Sequence, residues 1–89
     1  MIHSTAIIGK NVYLEENVSV GPYSIIEGNI RIGKGSKIFS HCSISGNTSI
    51  GEDNHIYPYC SIGAIPQDLK YQGEKTFLKV GNSNIFREH

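Results

Sequence analysis

The stretch Ile26-Glu27-Gly28-Asn29-Ile30-Arg31-Ile32-Gly33-Lys34-Gly35-Ser36-Lys37-Ile38-Phe39-Ser40-His41-Cys42-Ser43-Ile44 places isoleucine at 26, 32, 38 and 44. The interval of six extends in both directions. It runs back through Val20, Leu14 and Ile8 to Ile2, and forward through Ile50 and Ile56 to Ile62. After a gap the same phase returns at Val80. An α-helix repeats near 3.6 residues and a strand near 2, so neither produces this pattern. A strict period of six calls for a coil whose turn is a multiple of six residues, stacked on itself.

Within each hexad the aliphatic residue is often followed by glycine, as in Ile8-Gly9, Val20-Gly21, Ile32-Gly33, Ile50-Gly51, Ile62-Gly63 and Val80-Gly81. These glycines are expected to serve bends. Four residues after each aliphatic, the side chain is mostly small or medium: Ala6, Val12, Val18, Ser24, Ser36, Cys42, Thr48, Cys60. Ile30 and Asn54 are the larger departures. The hexad therefore reads as a short strand and a bend, with large and small side chains sharing a narrow interior.

Two further columns set the coil at three hexads, or 18 residues. Asn11, Asn29 and Asn47 are 18 apart, and so are Tyr23, His41 and Tyr59. Like residues on successive parallel strands form ladders of amides or rings. Asparagine also suits bends at positive φ, so both effects are expected in the Asn column. The expectation is an all-β parallel coil of one domain, residues 1–89. One coil buries too little apolar surface to offset the ordering of its backbone, so only the stack is stable.

The segment 64–79 breaks the repeat and carries Pro66, Gly73 and several charges. Because Val80 keeps the phase, the segment is expected to protrude as an inserted loop from a continuous stack. Gln67, Asp68, Lys70 and Glu74 bring an amide, two carboxylates and an ammonium together, a set suited to hydrogen-bonding a sugar or phosphate. The plain alternative is a solvated loop whose charges keep it soluble.

Eight Lys+Arg balance eight Asp+Glu, and no basic stripe argues for nucleic acid. No apolar run is long enough for a transmembrane segment. The N-terminal residues lack the regions of a signal peptide, so a cytoplasmic protein is expected. Cys42 and Cys60, 18 residues apart, would stack on neighbouring coils and are expected to be buried thiols. No metal-ligand cluster, phosphate loop or Ser/His/Asp set stands out, and no cofactor is called for. His41 is expected to stack between Tyr23 and Tyr59 rather than to catalyse, and His55 to lie outward.

The hexads resemble the left-handed parallel β-helix of the hexapeptide acyltransferases. The handedness is implied by that resemblance, since the crossover rule alone favours the right hand. The run Ile62-Gly63-Ala64-Ile65-Pro66-Gln67-Asp68-Leu69-Lys70-Tyr71-Gln72-Gly73-Glu74 is similar to the loop of the family that O-acylates UDP-N-acetylglucosamine in lipid A biosynthesis. Val80-Gly81-Asn82-Ser83-Asn84-Ile85-Phe86-Arg87-Glu88 and Val20-Gly21-Pro22-Tyr23 extend the likeness over essentially the whole chain.

The resemblance implies a homotrimer that moves a 3-hydroxyacyl chain from acyl carrier protein to the glucosamine 3-hydroxyl of UDP-N-acetylglucosamine. It implies sugar contacts for Gln67 and Asp68, and for Lys70 a hold on the nucleotide sugar or the product. The catalytic histidine of the pattern falls beyond His89, and His41, His55 and His89 do not occupy its motif. The 89 residues are thus expected to be an N-terminal segment without catalytic residues of their own, inactive alone. The alternatives are a non-catalytic solenoid scaffold, or another hexapeptide enzyme such as the N-acyltransferase of the same pathway or a sugar acetyltransferase.

Overall fold

The computed structural model describes residues 1–63 and 78–87. Every element assigned among them is a strand. In chain order they are β1 Ile7–Ile8, β2 Val12–Leu14, β3 Ser19–Val20, β4 Ile25–Ile26, β5 Asn29–Ile32 and β6 Lys37–Ile38. Then come β7 Ser43–Ile44, β8 Asn47–Ile50, β9 His55–Ile56, β10 Ser61–Ile62, β11 Leu78–Val80 and β12 Ile85–Phe86.

Every third strand joins the same parallel sheet. The orders are β1-β4-β7-β10, β2-β5-β8-β11 and β3-β6-β9-β12. Three walls close a triangular tube, as the two 18-residue columns require. The register confirms the coil length: Ile8 pairs with Ile26, Ile26 with Ile44, and Ile44 with Ile62. Ile2 bridges to Val20, so the first residues already belong to the coil.

The hexad aliphatics fill the tube. Ile26, Ile32 and Ile56 are 0% exposed, and Val20, Ile38, Ile44, Ile50 and Ile62 are also buried. Each such burial removes on the order of 1.5–3 kcal/mol worth of apolar surface from water. Alternation along the short strands turns the neighbouring residues outward, as the exposed–buried pattern of Asn29–Ile32 shows.

Between the large side chains sit Ser24, Ser36, Thr48 and Asn54, all buried. Their polar atoms are used at the corners. Ser24 Oγ donates to the Phe39 carbonyl at 2.6 Å and accepts from the Cys42 amide at 3.0 Å. Ser36 Oγ donates to the Gly51 carbonyl at 2.9 Å and accepts from the Asn54 amide at 3.1 Å. Thr48 Oγ1 donates to the Ser45 carbonyl at 2.9 Å. Among the described residues no buried side-chain polar atom lacks a partner. Ser24 and Ser36 thus bind the bend of the next coil, and Thr48 the bend of its own, as well as fitting the narrow interior.

Two sequence expectations are corrected. Of the glycines that follow the aliphatics, only Gly63 has positive φ; Gly9, Gly21, Gly33, Gly51 and Gly81 do not. Gly21, Gly33 and Gly51 are required instead by close stacking. A Cβ on Gly33 would lie 2.6 Å from the Gly51 carbonyl carbon, so coils can approach there only without a side chain. The Asn column is the second correction. Asn29 and Asn47 pair in register at the heads of β5 and β8, and neither they nor Asn11 has positive φ. The left-handed positions are Asn17, Gly35, Asp53 and Ser83 at one corner, Tyr23, His41 and Tyr59 at another, and Gly28, Gly46 and Gly63 at the third.

Candidate functional site

Gln67, Asp68 and Lys70 lie outside the described residues, and so does nearly all of the segment 64–79. What the structure describes is where that segment leaves the coil and where it returns. Ile62 pairs with Ile44, Ser45 donates its amide to the Ile62 carbonyl at 3.0 Å, and Gly63 turns at φ 74. The coil is re-entered at Leu78, which pairs with Thr48, followed by Lys79 with Ser49 and Val80 with Ile50. Ile44 to Thr48 takes four steps and Ile62 to Leu78 takes sixteen, so twelve residues are added. Twelve is two hexads, which is why the aliphatic phase survives the insertion.

The return is clasped onto the coil below. The corner after β11 meets the corner after β8 through the Gly51 amide on the Val80 carbonyl at 2.9 Å and the Ser83 amide on the Glu52 carbonyl at 2.8 Å. Asn82 Oδ1 accepts from the Glu52 amide at 2.7 Å. From inside the tube, Asn54 Nδ2 donates to the Gly81 carbonyl and Asn54 Oδ1 accepts from the Asn84 amide, both at 2.8 Å. Asn54, an oversized polar residue in the sequence pattern, is buried because it holds both sides of this corner. The break in its column was the sequence signal for it.

The histidine expectations hold in geometry. His41 stacks on Tyr59 with centroids 5.0 Å apart and planes 17° apart, and on Tyr23 at 5.3 Å. All three adopt left-handed backbone, at φ 61, 57 and 68 for Tyr23, His41 and Tyr59. His55 is on the outward side of β9, edge-on to Phe39 at 6.5 Å. Cys42 and Cys60 are buried on neighbouring coils and no disulfide joins them. Burial pushes the Cys42 thiol above its ordinary value of 9.0, against the smaller lowering effect of hydrogen bonds at the Cys60 backbone and Ser24 hydroxyl. The thiol donates to the Tyr57 carbonyl at 3.1 Å. Such a group is protonated and enclosed, unsuited to nucleophilic work. Among the described residues no three His, Cys, Asp or Glu gather as metal ligands. No helix among them is long and apolar enough to cross a membrane.

No protein-family model matches the chain. Individual proteins do. The acyl-[acyl-carrier-protein]–UDP-N-acetylglucosamine O-acyltransferase of Thermodesulfovibrio yellowstonii is 46% identical over 88 residues, covering 99% of this chain and 34% of that protein. Its namesake from Psychrobacter sp. is 45% identical over 87 residues, again 34% of the relative. This chain matches the N-terminal part of the UDP-N-acetylglucosamine O-acyltransferases. It spans about a third of the length of the curated relatives.

Solved structures of these O-acyltransferases agree. The enzyme from Moraxella catarrhalis superposes with a TM-score of 0.89 at 48% identity, over 98% of this chain and 34% of that one. The UDP-N-acetylglucosamine acyltransferase of Francisella novicida gives 0.91 at 36% identity, over 99% and 32%. Those β-helices are left-handed, and a coil of opposite hand could not superpose at such scores, so this solenoid is left-handed too.

Proposed function

We propose that these residues form the N-terminal β-helical segment of an O-acyltransferase that moves a 3-hydroxyacyl chain from acyl carrier protein to the 3-hydroxyl of UDP-N-acetylglucosamine, the first step of lipid A biosynthesis. The observation that carries this reading is 46% identity, over 99% of the chain, to a protein of that name. The Gln67-Asp68-Leu69-Lys70-Tyr71 stretch supports it. In this reading Gln67 and Asp68 orient hydroxyl and amide groups of the sugar, and Lys70 supplies positive charge to the nucleotide sugar or acylated product. The coil gives the insertion a fixed base at Gly63 and Leu78. The assembly is a cytoplasmic homotrimer, and the base is a histidine outside the motifs of this chain.

The test is acyl transfer by the full-length gene product. Asp68→Ala and Lys70→Ala are expected to raise KM for UDP-N-acetylglucosamine by about tenfold each, the loss of a charge-assisted hydrogen bond. An unchanged KM would remove both residues from the site.

A further inference from the structure

The outward column beside the hexad aliphatics on the third sheet is His3, Gly21, Phe39, Tyr57 and Arg87. The register places them one above another: the His3 amide bonds the Val20 carbonyl, the Gly21 amide the Ile38 carbonyl, the Phe39 amide the Ile56 carbonyl, and the Tyr57 amide the Phe86 carbonyl. From Phe39 upward the column is continuous. Phe39 and Tyr57 are 4.9 Å apart between centroids, and the Arg87 guanidinium lies 4.8 Å from the centre of the Tyr57 ring. Below Phe39 one rung is missing, because the position is glycine. That glycine is imposed by stacking, since a Cβ on Gly21 would come 2.8 Å from the Phe39 carbonyl carbon.

The missing rung leaves an open groove of 540 Å³ with Gly21 as its floor, His3 and Phe39 at its two ends, and Pro22 and Lys37 beside it. The levels of His3 and Phe39 are two coil spacings apart, about 9.6 Å. Aromatic rings contact at centroid separations of about 4.5–7 Å, so this gap admits one planar ring and not two. Phe39 is 37% exposed. Lys37 provides a cation at the lip, and no carboxylate lines the groove. The volume exceeds what a bare ring would fill and suits a ring that carries a sugar and an acid group.

We propose that this slot is a binding site for a nucleotide. The base completes the column between His3 and Phe39, and the phosphate is held by Lys37. The site faces away from the corner that launches the insertion and does not rest on the acyltransferase reading.

The experiment titrates adenosine 5′-monophosphate, adenosine and ribose 5-phosphate into the protein, following backbone amide shifts by NMR. Adenosine 5′-monophosphate is expected to shift the Gly21 and Phe39 amides saturably. Adenosine should bind more weakly at the same amides, and ribose 5-phosphate should leave them unmoved. Phe39→Leu keeps apolar bulk and removes one stacking face, and should weaken the nucleotide about tenfold. Lys37→Gln, at an exposed position, should weaken the nucleotide toward the level of adenosine and leave adenosine unchanged. Absence of shifts at millimolar nucleotide, or shifts produced equally by ribose 5-phosphate, overturns the proposal. So does undiminished nucleotide affinity in either variant, and Lys37→Gln decides alone if Phe39→Leu does not fold.

Discussion

Cys42 shows how far a single position is governed by its enclosure. Its side chain faces the tube interior, and the sulfur reaches the Tyr57 carbonyl at 3.1 Å and the Ser40 and Ile56 carbonyls at 3.6 Å. A thiolate there would face carbonyl oxygens in an apolar interior, so the proton is retained above the ordinary value of 9.0. The linkage has a definite sign. Above pH 9 the unfolded chain releases this proton while the folded chain keeps it, so the unfolded state binds fewer protons and stability falls as pH rises. The contribution is complete below the unfolded value and is lost on the way up to the raised folded one. Urea melts from pH 7 to 10.5 should show a steeper alkaline decline for the native chain than for Cys42→Ala.

At the scale of the element, the unit is the corner that links one wall to the next. The Tyr23–His41–Tyr59 corner asks each residue for left-handed backbone, which costs a side-chain-bearing residue about 1–2 kcal/mol. His41 makes two ring contacts, and stacking at about 0.5–1.5 kcal/mol for each outweighs this penalty. His41→Ala should therefore lose both contacts and keep the backbone penalty, while His41→Gly loses the contacts and is relieved of it. Thermal unfolding is expected to rank native above Gly and Gly above Ala. The opposite order of the two variants would show that the ring ladder and the backbone are not in this balance.

The corner after β11 is held differently, by an amide from within. Asn54→Val fits a column that already holds Val18, yet leaves the Gly81 carbonyl and the Asn84 amide without partners. A cost of about 2 kcal/mol or more is expected. The Asn84 amide should exchange with solvent much faster than in the native chain, whereas the Ile26 amide should change only with global stability. Equal acceleration at both would mean that the corner does not open by itself.

For the whole molecule, the decisive quantity is the length of the insertion. Twelve added residues preserve both the phase and the register. Deleting residues 65–76 should restore a four-step link from Ile62 to Leu78 and leave β11 and β12 paired as before. Deleting eleven or thirteen residues should turn the inward side chains of β11 and β12 outward, since a slip of one residue exchanges the faces of a strand. Circular dichroism melts should place the twelve-residue deletion near the native chain and both others well below it. In the proposed function the twelve-residue deletion also removes Gln67, Asp68 and Lys70, so folding survives while affinity for UDP-N-acetylglucosamine is lost.

Much of this architecture was written in one dimension. The interval of six names the inward residues, and the 18-residue columns name the coil, because burial and stacking act on every turn alike and leave a periodic trace. The likeness of the insertion to a known loop was legible as well, though the placement of Gln67, Asp68 and Lys70 lies outside the described residues. Tertiary structure alone decided what is not periodic. Gly21 and Gly33 read as bend residues, but the close approach of the next coil is what excludes a side chain there. Asn54 read as a misfit until the returning corner supplied its two partners. The slot between His3 and Phe39 is an absence on one turn only. Such features depend on which atoms meet across the gap between coils, and a spacing along the chain carries no record of that distance.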